Sequence, residues 1–293
     1  MSAFEGAVER VWPGRNTRVE ILGGGITNHN LKVEIDGKLY VLRVAGKDTN
    51  LLGIDRSVEL AATEAAAAAG VGPEVVAFVE PEGWLVTRFI EGAIPPVECM
   101  REPEMLTRVA RALRAIHDGP PIPGSFDSFR VVEIYRETAL ECGGAIPESY
   151  GWAYGIAHRI ETLRGDVERR PCHNDLLNAN FLDDGERIRI VDWEYAGMGD
   201  VFFDLANFSI NHELDEGQSE QLLEAYFGEV RPEDSEALEL MRFMSDFREA
   251  MWGVVQTAVS QLDFDFAAYA AEHFERLERT ATAPAFQDAI SGM

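Results

Sequence analysis

The sequence predicts an α+β chain of two lobes: a small antiparallel sheet lobe with one main helix, then a larger and mostly helical lobe. Three observations carry that expectation. The first ninety or so residues read as short strands around a single helix, with Asp36-Gly37 as a tight hairpin turn. Glu91-Gly92 and then Pro95-Pro96 interrupt the chain. Beyond that break the chain reads mainly as helix. The division is therefore set after Glu91, giving lobes of residues 1–91 and 92–293.

Residues 18–22 and 31–35 are strand candidates on either side of Gly23-Gly24-Gly25-Ile26-Thr27-Asn28-His29-Asn30. Asp36-Gly37 turns the second into a third strand over 39–44. A helix comes next, with Asp55 as its N-cap, an alanine-rich body and Gly70 as its stop. Strands over 74–79 and 84–90 meet at Glu82-Gly83. Helices are expected over about 103–117, 150–167, 219–227, 233–260 and 264–279, interrupted by strands over 180–182 and 188–193 that flank Asp183-Asp184-Gly185-Glu186.

Charge limits the partners. The 293 residues hold 26 basic against 51 acidic side chains, a formal −25, which disfavours nucleic acid and anionic membrane surfaces. The same field suits a cationic substrate, although an acidic surface also serves plain solubility. Cys99, Cys142 and Cys172 are scattered and odd in number, forming neither a disulfide framework nor a CxxC pair. The first fourteen residues carry Glu5 and Glu9 and lack an apolar leader core. No run reaches the length of a membrane span; a soluble, cytoplasmic protein is expected.

The chemistry concentrates in His173-Asn174-Asp175-Leu176-Leu177-Asn178-Ala179-Asn180, followed by Ile190-Val191-Asp192. The pattern matches the H-x-D-L-x-x-x-N catalytic loop of kinases, with a second aspartate on the next strand. Phosphoryl transfer requires a carboxylate that can take the acceptor hydroxyl's proton, the role of Asp175. It also requires oxygen ligands that hold Mg²⁺ against ATP, the roles of Asn180 and Asp192. Upstream, bare backbone at Gly23, Gly24 and Gly25 suits a close approach to phosphates. Arg43, on the third strand, can grip phosphate oxygens by two bonds, and Glu59 on the following helix is placed to hold it.

Over nearly its whole length the chain resembles the choline/ethanolamine kinase branch of the aminoglycoside-phosphotransferase-like, protein-kinase-like superfamily. The resemblance is carried by residues 23–30, the Arg43 strand, Ile54-Asp55-Arg56-Ser57-Val58-Glu59 and Thr87-Arg88-Phe89-Ile90-Glu91-Gly92. It continues through Leu113-Arg114-Ala115-Ile116-His117, the catalytic loop, Asp192-Trp193-Glu194-Tyr195, Asp204-Leu205-Ala206-Asn207, and Trp252-Gly253-Val254-Val255-Gln256 with Ser260 and Asp263-Phe264-Asp265-Phe266. It implies a bilobal protein-kinase-like fold. It implies a nucleotide site that adds Thr27 and Asn28 to the glycine loop, with adenine at the backbone of Arg88, Phe89 and Ile90. For the acceptor it implies an aromatic cage of Tyr195, Trp252, Phe264 and Tyr269 around a cation, Asp175 orienting the hydroxyl and Glu194 close behind. Three positions depart from the family pattern: Glu249 stands where a second cage tryptophan is usual, Leu177 where glutamine is, and Asn211 where an acid is. Glu249 would supply charge where a ring is missing.

The expected function is ATP- and Mg²⁺-dependent phosphorylation of a small cationic alcohol, choline or ethanolamine first. An aminoglycoside or thiamine acceptor is the alternative within the same chemistry, and a catalytically silent nucleotide-binding module the alternative outside it. His117 closes a helix and, by the resemblance, is structural; Asp204 is expected to brace the catalytic loop, and His29 to sit in the glycine loop. His158, His212 and His273 have no cysteine or histidine partners at metal-ligand spacing, so a zinc site is not expected.

Overall fold

The computed structural model describes residues 2–23, 28–46 and 49–292. Helix α1 (Ser2–Val11) leads into β1 (Arg18–Leu22), β2 (Asn28–Ile35) and β3 (Lys38–Ala45), then α2 (Arg56–Ala68), β4 (Val75–Val79) and β5 (Trp84–Arg88). The five strands form one antiparallel sheet in the order β1-β2-β3-β5-β4. Asp36 and Gly37 both take positive φ, 51° and 73°, which gives the two-residue hairpin between β2 and β3 the hand that matches strand twist. The Asp55 carboxylate accepts from the Ser57 and Val58 amides and starts α2. At its other end Gly70, at φ 72°, turns the chain out of the helix.

The crossing between lobes is tight. Ala93 pairs with Asp183, and a Cβ at Gly92 would stand 2.7 Å from the Asp183 carbonyl oxygen, so only glycine fits there. Beyond lie α3 (Pro103–His117), α4 (Ser128–Glu141), α5 (Ser149–Arg164), β6 (Arg170–Cys172), β7 (Phe181–Asp183), β8 (Ile188–Ile190) and β9 (Gly197–Gly199). The chain ends with α6 (Val201–Asn211), α7 (Glu216–Phe227), α8 (Pro232–Val259), α9 (Phe266–Thr282) and α10 (Pro284–Ser291). Strands β6 and β9 form one short antiparallel pair, β7 and β8 another.

The expected α+β architecture is present. Helices α1, α4, α6 and α10 and the β6–β9 pair were not anticipated. In α6 every side chain from Phe203 to Ile210 is buried, so the segment has no polar face to mark it as a helix. Several ends fall short of expectation: the strand expected to 90 stops at Arg88, the one expected to 193 at Ile190, and the helix expected to 167 at Arg164. Asn180 lies in a short 3-10 turn just before β7. His29 is on β2, exposed, with its ring 4.9 Å from that of Phe4, and so is not part of the glycine loop.

Two apolar clusters form the interior. The smaller joins Ala7 and Val8 of α1 to Leu31, Val33, Leu42 and Val86 of the sheet. The larger fills the helical lobe, but it also takes in Leu52, Ile54, Ala62, Ala66 and Val71 from the first 91 residues. Helix α2 is thus packed into the core of the other lobe. Among the described residues no helix is long and apolar enough to cross a membrane.

Candidate active site

Strand β6 delivers the loop of residues 173–180, and α6 holds it in place. The buried Asp204 carboxylate accepts the His173 amide at 2.8 Å and the Asn174 amide at 2.7 Å, and meets His117 Nε2 at 3.0 Å. Burial alone would raise this carboxyl, but the His117 bond and the surrounding donors keep it below the usual carboxylate range. One turn along α6, Asn207 accepts from the Leu176 amide and donates to Ser245 Oγ on α8 at 2.9 Å. The His173 ring ties the loop to the next strand: Nδ1 accepts the Asp175 amide at 3.2 Å, which leaves Nε2–H to donate to the Val191 carbonyl at 3.0 Å. Burial lowers its pKa, in keeping with a neutral imidazole. Asn174 and Asp192 adopt left-handed φ of 66° and 69°, a region that asparagine and aspartate enter more readily than other side chains.

A cleft of about 470 Å³ opens between sheet and helical lobe. Leu22, Val41, Leu85, Phe89, Leu182 and Val191 make it an apolar slot, and Arg43, Asn180 and Asp192 also line it. Gly23 is on its wall; among the described residues, its chain neighbours apart, no atom lies within 4 Å of a Cβ placed there. Gly24, Gly25 and Thr27 lie outside the described residues. At the hinge the Arg88 and Phe89 amides donate to the Glu74 and Leu39 carbonyls, whereas the Ile90 amide has no backbone partner among the described residues. The Arg88 guanidinium itself is engaged over the Tyr40 ring.

Arg43 is buried and pairs with Glu59 on α2 and with Asp192. Burial opposes its charge, and Asp192, Glu59 and Glu194 outweigh that effect. Asn180 donates its amide to the Asp175 carbonyl at 2.8 Å, which leaves its own oxygen, with the Asp192 carboxylate, as hard donors suited to a divalent cation. Arg56, to which the sequence pattern assigned no role, reaches Glu59 at 2.6 Å, Glu194 at 3.2 Å and Asn28 at 2.9 Å. Asn28 in turn donates to Glu194 at 2.8 Å across the lobes. Burial, with Asp192 nearby, pushes Glu194 up to about 7 against the pull of Arg43.

On the other side of Asp175 the structure brings Tyr195, Glu249, Trp252 and Tyr269 together. Trp252 Nε1 donates to the Tyr195 hydroxyl at 2.9 Å, and the Tyr269 hydroxyl donates to Glu249 at 2.8 Å. The Trp252 and Tyr269 rings meet edge to face at 5.5 Å. Phe264 stands at the outer edge, 44% exposed, its ring 6.1 Å from Tyr269. Inside this group lies Arg248, also missed from sequence: it contacts Asp175 at 3.2 Å, pairs with Glu249, and stacks 4.4 Å from the Tyr195 ring centre. Its signal was available as a charge in an α8 stretch otherwise dominated by apolar residues. Burial pushes the Asp175 carboxyl up to about 7, Glu249 and Asp192 adding to this and Arg248 opposing it.

His117, Cys172 and Asp204 offer ligand atoms within 4.8 Å of one another. Asp204 is already committed to the loop amides, the second His117 nitrogen meets the Tyr226 hydroxyl at 2.7 Å, and burial pushes the Cys172 thiol up. The cluster braces the loop.

A model of the Phosphotransferase enzyme family matches residues 18–240. Among solved structures, a choline/ethanolamine kinase family protein from Mesorhizobium loti superposes with a TM-score of 0.84 and 31% identity, over 99% of this chain and 98% of that one. Protein LicA of Haemophilus influenzae is 29% identical over 69% of this chain, a match that spans 61% of LicA's own length. Ethanolamine kinase 2 of Rattus norvegicus is 27% identical over 90% of this chain and 76% of its own. The chain belongs to the Phosphotransferase enzyme family, as a member of the choline/ethanolamine kinase type.

Proposed function

We propose that the protein transfers the γ-phosphoryl group of ATP, presented with Mg²⁺, to the hydroxyl of a small amino alcohol, with choline and ethanolamine as the reference acceptors. One observation carries this reading: the Asp175 carboxylate stands between a cleft ending in Arg43, Asn180 and Asp192 and a box of Tyr195, Trp252, Tyr269 and Glu249. Residues 1–91 would then supply most of the nucleotide site and residues 92–293 the acceptor site.

The apolar slot takes the base, with the Ile90 amide available to it. Arg43, held by Glu59, grips phosphate oxygens, and in doing so releases Asp192. Asn180 and Asp192 would hold Mg²⁺, which neutralises charge on the phosphate oxygens when bound. Asp175 takes the proton of the acceptor hydroxyl, and Asp204, Asn207 and His173 fix its position. Most of the catalysis is placement and charge neutralisation. A silent binding module would have no use for Asp175, Asn180 and Asp192 held together in working order.

The test is ADP release from MgATP with choline, ethanolamine, the methylated intermediates, thiamine and kanamycin as acceptors. Asp175→Ala and Asp192→Ala are expected to lower turnover by ~10²–10⁴-fold while the proteins stay folded. Near-normal turnover in either variant would remove the mechanism.

A further inference from the structure

The acceptor side of Asp175 already contains a cation. Arg248 is 1% exposed, and among the described residues only its Nη1 has polar partners, Asp175 at 3.2 Å and Glu249. Its Nε and Nη2 are buried without a hydrogen-bond partner among the described residues. These two nitrogens share one edge of the guanidinium plane, the edge that places two parallel N–H bonds on a pair of anionic oxygens. Unpaired buried donors are costly, so two of them on the side chain that contacts Asp175 through its third nitrogen leave a polar edge that a bound ligand would satisfy. The guanidinium face also covers the Tyr195 ring at 4.4 Å, so a bare trimethylammonium approaching that ring would meet a like charge and satisfy neither N–H.

We propose that Arg248 is a specificity residue whose free Nε/Nη2 edge takes a carboxylate on the acceptor, so that the preferred acceptor is an amino alcohol bearing an acid group. Such a molecule matches the local charges. Asp175 and Glu249 outnumber Arg248, which leaves a carboxylate for the acceptor's ammonium, while its acid pairs with the guanidinium. Two oxygens of the transferring phosphoryl group would fit the same edge chemically. Position favours the acceptor: Arg248 is stacked on Tyr195 and tied to Glu249, whereas Arg43 already serves the cleft end. The proposal rests on reading the Asp175 site as the one that receives the acceptor hydroxyl.

The experiment compares ethanolamine with L-serine, and 3-aminopropanol with L-homoserine, pairs that differ only by the carboxylate. Binding to the 293-residue protein is measured by calorimetry and turnover by ADP release, in wild type, Arg248→Met and Arg248→Lys. In at least one pair the carboxylated member is expected to bind at least about tenfold tighter than its bare partner. Arg248→Met should erase that advantage, and Arg248→Lys, which keeps the charge without the fork, should retain only part of it. The wild-type comparison decides the matter even if Arg248→Met fails to fold. Equal or tighter binding of the bare amine in both pairs overturns the proposal, as does binding of no member. A uniform fall in kcat across acceptors with unchanged binding assigns the edge to the phosphoryl group and also overturns it. Turnover of choline or ethanolamine without any carboxylate preference would leave phosphotransfer standing and remove the Arg248 role. Carboxylate-dependent binding without ADP release would do the reverse.

Discussion

Asp175, the base of the proposed reaction, is kept reluctant to ionise by its surroundings. Burial pushes it to about 7, Arg248 holds it from going further, and Glu249 and Asp192 add to the rise. The proton acceptor must be charged, so kcat/KM, which reports the free enzyme, is expected to climb with pH through about 7. In kcat the limb should lie at lower pH, because Mg²⁺ held by Asn180 and Asp192 would favour the ionised form of the carboxylate. A profile flat from pH 5 to 8 would show that Asp175 does not titrate as its burial requires. His212 makes a different pH statement, about stability. Burial lowers its pKa from 6.5 to about 4, and its Nδ1 is 2.8 Å from the Phe208 carbonyl. Between those values the unfolded chain binds the extra proton, so this contribution is fully present above about 6.5 and is lost as pH falls toward 4. It amounts to ~3 kcal/mol at most. His212→Gln should flatten the fall of denaturant midpoint between pH 6.5 and 4.5, measured against wild type.

Helix α2 shows how an element's end can serve a site. Asp55 caps it, and the first turn beyond the cap carries both Arg56 and Glu59, the residues that link Arg43, Asn28 and Glu194. Asp55→Ala should cost about 1 kcal/mol of stability and loosen that turn. The expected kinetic result is a severalfold rise in KM for ATP with a smaller change in kcat, checked beside a thermal melt. An unchanged KM would mean that the loop contacts alone hold the first turn. Helix α6 works by a different geometry: Asp204 and Asn207, three residues apart, face the same loop, so one helix edge fixes two of its amides and a third.

Across the molecule the two lobes are not independent. Ala62, Ala66 and Val71 fill part of the larger core, and Arg189 on β8 donates to the Val71 and Gly72 carbonyls at 3.2 and 2.6 Å. A fragment of residues 92–293 would expose that surface. It is expected to lack the fixed near-ultraviolet circular dichroism of the whole chain, and a well-packed fragment would show that α2 is dispensable to the core. This coupling was not legible in the sequence, whereas features encoded at short range were. The hairpin comes from Asp36-Gly37, the start of α2 from Asp55, and the loop of residues 173–180 from a motif contiguous in the sequence. The aromatic residues of the box were also legible, because they match a family pattern position by position. Which charges meet inside was settled only when the chain folded. Arg248 reaches Asp175 across 73 positions and Asn28 reaches Glu194 across 166, and no local pattern encodes either contact. Burial hides them: α6, and α8 over much of its length, are covered on nearly every side, so neither shows the polar face that would reveal which way a buried Arg248 or Asp204 points.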